Sequence, residues 1–273
     1  MLRWLFAVTA LVGLCQLLVP VWYSTPQLPS RAAGVTAPAS PRSPALVGGR
    51  TSVDESRLAV QFGAERLIHL ENIGYDVGYS PLRHLPLWVH YRLNAGHPIF
   101  QRFPRPKDFV PDTRVPDPIC SFEYSRSGFE RGHLAASSTI AVYFGREAQL
   151  ETFLLTNVVP QVHWHNEGIW NTLERIEAWD YPRRYGQIET ACGPVLGVGF
   201  IRNKIPIPRA LYKILKRPDG QCLAFIIAQD GREIMAEELP AQLTSVRDIE
   251  RKTGLRFEFI DERRKDSAAS RLW

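Results

Sequence analysis

Glu130-Arg131-Gly132-His133-Leu134-Ala135-Ala136-Ser137, then Asn157-Val158-Val159-Pro160-Gln161, then His163, His165, Asn166, Trp170 and Glu174, form the stretch that decides how this chain is read. On a strand, residues two apart share a face, so Arg131 and His133 can enter one pocket. A neutral imidazole can take a proton from water near pH 7. A guanidinium can grip phosphate oxygens through paired donors. Gly132 lets another group approach the backbone closely. Asn166 stands where a helix is expected to begin, either as its N-cap or as an amide ligand for a hard cation such as Mg2+. Glu174, eight residues later, lies about two helical turns on. It reads either as an exposed carboxylate or as a group that orients water around a cation.

Outward from this stretch, composition sets the bounds. Of 273 residues 45% are apolar, enough for a sizeable core, and the formal charge is +5. A mildly basic chain suits polyanionic partners but says nothing about fold. The cysteines are Cys15, Cys120, Cys192 and Cys222, at spacings that match no zinc ribbon or finger. A Cys192–Cys222 disulfide and free thiols both stay open. The His163-Trp164-His165 triplet, with His133 as a third ligand, is an alternative zinc site.

Arg3 precedes an uncharged run over residues 4–23, just long enough to span a bilayer, though Gln16 and Pro20 weaken it. It reads as an uncleaved signal anchor ahead of a cleaved signal peptide. Either way the remainder is expected to be exported, on the periplasmic or extracellular side. Residues 24–55 form a Pro/Ala/Ser-rich linker, residues 56–262 the folded domain, and residues 263–273 a charged tail expected to fray.

Within the domain, residues 57–70 read as a short helix or loop. Residues 74–80 and 85–93 alternate as a strand pair, and residues 94–120, rich in proline, as a long loop. Helices are expected over 146–153 and 168–179, and strands over 188–196, 210–216 and 222–228. Ser245 with Asp248 caps a helix over 246–253, which Gly254 ends. No regular strand-helix-strand rhythm appears, so the expected class is α+β with a largely antiparallel sheet.

Three segments then carry a resemblance: Ser127-Gly128-Phe129-Glu130-Arg131-Gly132-His133-Leu134-Ala135, Phe153-Leu154-Leu155-Thr156-Asn157-Val158-Val159-Pro160-Gln161, and Asn166-Glu167-Gly168-Ile169-Trp170-Asn171-Thr172-Leu173-Glu174. In this order and spacing they resemble the DNA/RNA non-specific endonuclease family, the endonuclease G-like ββα-metal (His-Me finger) nucleases. The similarity runs from about residue 72 to 259 and includes Cys192-Gly193-Pro194.

The resemblance implies a central antiparallel sheet flanked by helices, and Mg2+-dependent cleavage of DNA and RNA to 5′-phosphate products, with Mn2+ as a substitute ion. It assigns His133 as general base, Asn166 as the direct protein ligand of a hydrated cation, and Glu174 as a carboxylate near its waters. Asn157 would position His133 or its neighbours. Arg131 and Arg105 would hold phosphate, with Arg102 as the competitor of Arg105. A homodimer is open, since dimers are common among relatives. Two departures stand out: Glu130 replaces the usual aspartate, and the loop bearing His163 and His165 is unusually histidine-rich. A catalytically idle nucleic-acid-binding domain and a zinc phosphodiesterase are the competing readings.

Overall fold

The computed structural model describes residues 60–62, 65–96 and 103–273. The N-terminal run, the whole linker over residues 24–55 and Arg102 lie outside the described residues. Among the described residues no helix is long and apolar enough to cross a membrane.

Among the described residues there are eleven strands and four α-helices. The strands are β1 (Val60–Phe62), β2 (Ile68–Asn72), β3 (Tyr75–Ser80), β4 (Leu85–Asn94), β5 (Glu130–His133), β6 (Val158–Gln161), β7 (Gln187–Ile201), β8 (Ile205–Lys216), β9 (Cys222–Ala228), β10 (Leu243–Thr244) and β11 (Leu255–Phe257). The helices are α1 (Ser137–Glu151), α2 (Asn171–Arg175), α3 (Tyr181–Tyr185) and α4 (Val246–Thr253). Seven strands form one sheet in the order β10-β9-β8-β7-β4-β3-β2, every pair antiparallel. β5 pairs with β6 and β1 with β11, both antiparallel.

Strand alternation gives the sheet two buried faces. Trp88, Ala191, Tyr212, Ile214 and Ala224 pack with Val246, Ile249, Leu255 and Phe257 of α4 and β11. Their strand neighbours Val89, Cys192, Leu211, Leu215 and Phe225 pack instead with Leu134, Ile140, Trp170 and Leu173. The second face therefore carries the layer that holds the site. Burial on both faces accounts for the long buried runs along β7 and β8, which a sheet wet on one side would not show.

Three expectations need correction. Residues 57–70 contain strands β1 and β2 rather than a helix. The first helix starts at Ser137, nine residues before the expected 146, because Gly145 (φ +91°) kinks α1 and hides its first half from a helical period. Of the two alternatives left open for Cys192 and Cys222, the structure has the free thiols rather than the disulfide, and the Cys192 thiol donates to Leu134 O. The tail does not fray. Lys265 is buried and ion-paired with Glu250 at 2.7 Å, and Trp273 packs on Tyr181 and Tyr185.

Candidate active site

β5 and β6 lie side by side, with His133 opposite Val158 and Glu130 opposite Gln161. After β6 the chain runs into a helical segment from His165 to Tyr185 with wide π-type turns at His165–Trp170 and Ile176–Asp180. Two strands and a helix thus form a ββα unit. Gln161 anchors it by donating from Nε2 to Nδ1 of His165 (2.8 Å), whose own Nε2 donates to Ile227 O (3.2 Å). Gln229 donates to Pro160 O at 2.9 Å and Pro208 O at 2.6 Å, which ties β6 to the large sheet. Gly132 is required here: a Cβ would sit 1.6 Å from Gln161 Oε1.

A cleft of about 620 Å³ opens beside this unit, lined by Arg105, His133, Asn166 and Glu174 among others. His133 ends β5 and is wedged between Phe109 and Phe153, each ring centroid 5.0 Å away. Burial, with help from the Arg105 guanidinium, pushes the imidazole down to about 3, so the ring is uncharged throughout the neutral range. Its Nε2 is buried without a hydrogen-bond partner among the described residues. Arg105 enters from the proline-rich loop with its guanidinium 5.3 Å from the centre of the Phe153 ring.

Asn157 lies outside the cleft lining and acts from behind it. Its Oδ1 accepts from Ala135 N (2.9 Å), and its Nδ2 donates to Ala135 O and Thr152 O, each at 3.0 Å. The fully buried amide therefore clamps the turn that follows His133 onto the end of α1. Arg131 also stays out of the cleft lining. It shares a face with His133, as strand alternation requires, because both meet Phe109. Its Nη1, however, donates to Ser121 Oγ at 3.0 Å. The guanidinium in the cleft is that of Arg105, not Arg131.

Asn166 sits in the first π-type turn, where its Nδ2 donates to Glu130 Oε2 at 2.8 Å. The other oxygen of Glu130 takes His163 Nδ1 at 2.7 Å. With Nδ2 committed, Oδ1 is the free end of the amide, taking no hydrogen bond among the described residues. A carboxamide oxygen held this way is a hard, neutral donor that suits a cation retaining most of its waters. Glu174 is half-buried in the same cleft; burial pushes it up to about 7, Lys213 opposes this and Glu177 adds to it. A cation nearby would favour its ionised form. The donor set fits a hydrated divalent ion. It does not fit zinc held by three imidazoles: His163 points outward to Glu130 and His165 is buried on Ile227, and among the described residues no group of three His, Cys, Asp or Glu converges.

Comparison with known proteins follows the same lines. The profile of the DNA/RNA non-specific endonuclease family matches residues 56–263. The chain belongs to that family. Among family relatives, mitochondrial endonuclease G of Bos taurus is 28% identical over 253 residues, covering 86% of this chain and 83% of its own length. The mitochondrial nuclease EXOG of Xenopus laevis is 26% identical over 209 residues, covering 68% of this chain and 56% of its own. This chain thus spans little more than half of that EXOG protein. A crystal structure of an EndoG/EndoGI complex superposes with a TM-score of 0.60 at 24% identity, over 72% of this chain and 88% of that one. The fold is accordingly that of the ββα-metal nucleases, α+β with an antiparallel sheet and flanking helices, and the family implies a divalent metal.

Beyond the quoted motifs, the cleft is lined by Gln149 and Trp179, which sequence reasoning did not single out. Gln149 lies in the expected second half of α1 but belongs to no motif. Trp179 follows Glu174 by five residues but belongs to no motif.

Proposed function

We propose that this chain is a Mg2+-dependent, sugar-non-specific nuclease that hydrolyses phosphodiester bonds of DNA and RNA to 5′-phosphate products. The observation that carries the reading is the convergence of His133, Arg105, Asn166 and Glu174 on one cleft. These are a base, a phosphate grip and two oxygen donors toward a cation, and none of them requires a ribose 2′-hydroxyl.

Arg105 draws the scissile phosphate into the cleft and offsets its charge. His133, uncharged and desolvated, takes a proton from the attacking water. An anionic phosphate beside the ring raises its proton affinity from the low value of the empty cleft. Water attacks phosphorus, the bond to O3′ breaks, and the departing oxygen takes a proton from solvent. Asn157 keeps the backbone after His133 in place, and Arg131 braces β5 through Ser121. Asn166 Oδ1 would hold the hydrated Mg2+, with Mn2+ as substitute, and Glu174 would accept hydrogen bonds from its water shell. The bound ion supplies positive charge at the phosphate and the departing oxygen. Contacts limited to phosphate carry little sequence information. Export of the domain, tethered through residues 4–23, rests on the apolar N-terminal run alone.

The test is cleavage of matched single-stranded DNA and RNA with Mg2+, with Mn2+ and with EDTA. Both polymers should be cut with either ion and neither in EDTA. Binding without cleavage under every ion condition would favour an idle nucleic-acid-binding domain.

A further inference from the structure

The cleft lining also includes groups that the phosphate chemistry leaves unused. Trp179 stands on its rim, 36% exposed, on the same helical segment as Asn166 and Glu174. Arg183 holds its guanidinium 5.8 Å from the centre of the Trp179 ring. Ala141 and Val142 of α1 line the same cleft, as does Gln149, which is only 4% exposed. Gln149 has a defined orientation. Its Oε1 accepts from Arg146 Nη1 at 2.6 Å, and a guanidinium can only donate. Its Nε2, with two donors, therefore remains, and it makes no hydrogen bond among the described residues. Arg146 also donates to Pro104 O, so one side chain fixes both Gln149 and the residue before Arg105.

An exposed indole backed by a cation, small apolar side chains and a buried amide with unused donors match a flat, partly polar ring. They do not match a phosphate. We propose that these residues give the cleft a nucleoside subsite: the base flanking the scissile phosphate stacks on Trp179, and Gln149 Nε2 donates to an oxygen of that nucleoside present in both DNA and RNA. Every base has a π face, so stacking adds affinity without sequence preference. The backing Arg183 adds positive charge next to the polyanion. The proposal rests on the nuclease reading, because the scissile phosphate defines which base is meant.

The test compares a single-stranded oligothymidylate with an oligomer of equal length lacking bases, using the full chain and its Trp179→Ala, Trp179→Phe and Gln149→Met variants. The wild-type protein should show the lower KM for the base-bearing oligomer. Trp179→Ala should raise that KM about tenfold, as the loss of one stacked base implies, and erase the preference over the abasic oligomer. Trp179→Phe should keep most of the preference, and Gln149→Met should lose part of it. An equal shift on both oligomers, or a shift on neither, overturns the subsite. Should the wild-type protein cut neither oligomer, the nuclease reading fails separately, and fluorescence anisotropy of the same two oligomers decides the subsite. A base-dependent affinity lost in Trp179→Ala supports it, and equal binding of both overturns it.

Discussion

Glu130 Oε2 accepts a hydrogen bond from Asn166 Nδ2 at 2.8 Å, so the first strand of the ββα unit sets the orientation of the amide on its helix. The Glu130 carboxylate therefore has a structural task. Its second oxygen reaches the exposed His163.

Removing this brace frees the Asn166 amide to rotate. Glu130→Ala should raise the Mg2+ concentration needed for half-maximal cleavage by about 10- to 100-fold, the usual cost of losing a group that orients a metal ligand. Glu130→Asp should stay closer to the wild type. A cation titration of the cleavage rate checks both. Unchanged Mg2+ dependence in Glu130→Ala would show that the brace is dispensable.

Asn157 makes three buried hydrogen bonds to backbone groups of Ala135 and Thr152. Asn157→Ala leaves those groups unpaired away from water and should cost about 3 kcal/mol of stability. Asn157→Asp should do no better, since a carboxylate would face two carbonyl oxygens. Urea denaturation midpoints measure this, with the wild-type curve as reference.

Much of this was legible beforehand, for identifiable reasons. The strand pair over residues 74–93 shows in plain alternation. Ser245 does cap α4, accepting from Asp248 N at 3.1 Å, because a cap needs only neighbouring residues. The family motifs carried His133, Asn166 and Glu174 onto positions that do line one cleft. Side-chain direction was not legible. Strand alternation puts Arg131 and His133 on one face, yet only contacts distant in sequence send the guanidinium to Ser121 rather than into the cleft. The first half of α1 was hidden by the kink at Gly145, and Gln149, though inside the expected helix over 146–153, carries no motif that marks it as facing a cleft. The tail looked too charged to order, but Lys265 finds Glu250 inside the fold and Trp273 finds an aromatic pocket.

The packing of Gln161 against β5 leaves no room for a side chain at position 132. Gly132→Ala should force β5 and β6 apart locally and destabilise the domain by about 1–3 kcal/mol. Thermal unfolding of the variant checks this. A cleavage rate that falls further than the loss of stability explains would place the distortion at His133.

Acid sensitivity has a specific source. Burial alone would raise Glu189, but hydrogen bonds from His90, Arg92 and Lys216 outweigh it and hold the carboxylate down to about 2, from its usual 4.5. A depressed carboxylate stabilises the fold above its unfolded value, and that contribution is lost as pH falls from about 4.5 through about 2. Glu189→Gln should lower stability at pH 7 by about 2 kcal/mol, allowing for solvent screening. It should also flatten the acid limb of a stability-versus-pH curve. Parallel acid limbs for the two proteins would exclude this cluster as the cause.

The central claim is that His133 supplies the base and Asn166 the cation-facing oxygen in one cleft. Plasmid nicking in Mg2+ by the wild-type protein, His133→Ala and Asn166→Ala, with DNA binding measured alongside, tests it most directly. Nicking should fall by about 10²- to 10⁴-fold in His133→Ala while DNA binding persists, and Asn166→Ala should lose activity that excess Mg2+ partly restores. Nicking by His133→Ala at the wild-type rate would contradict the claim.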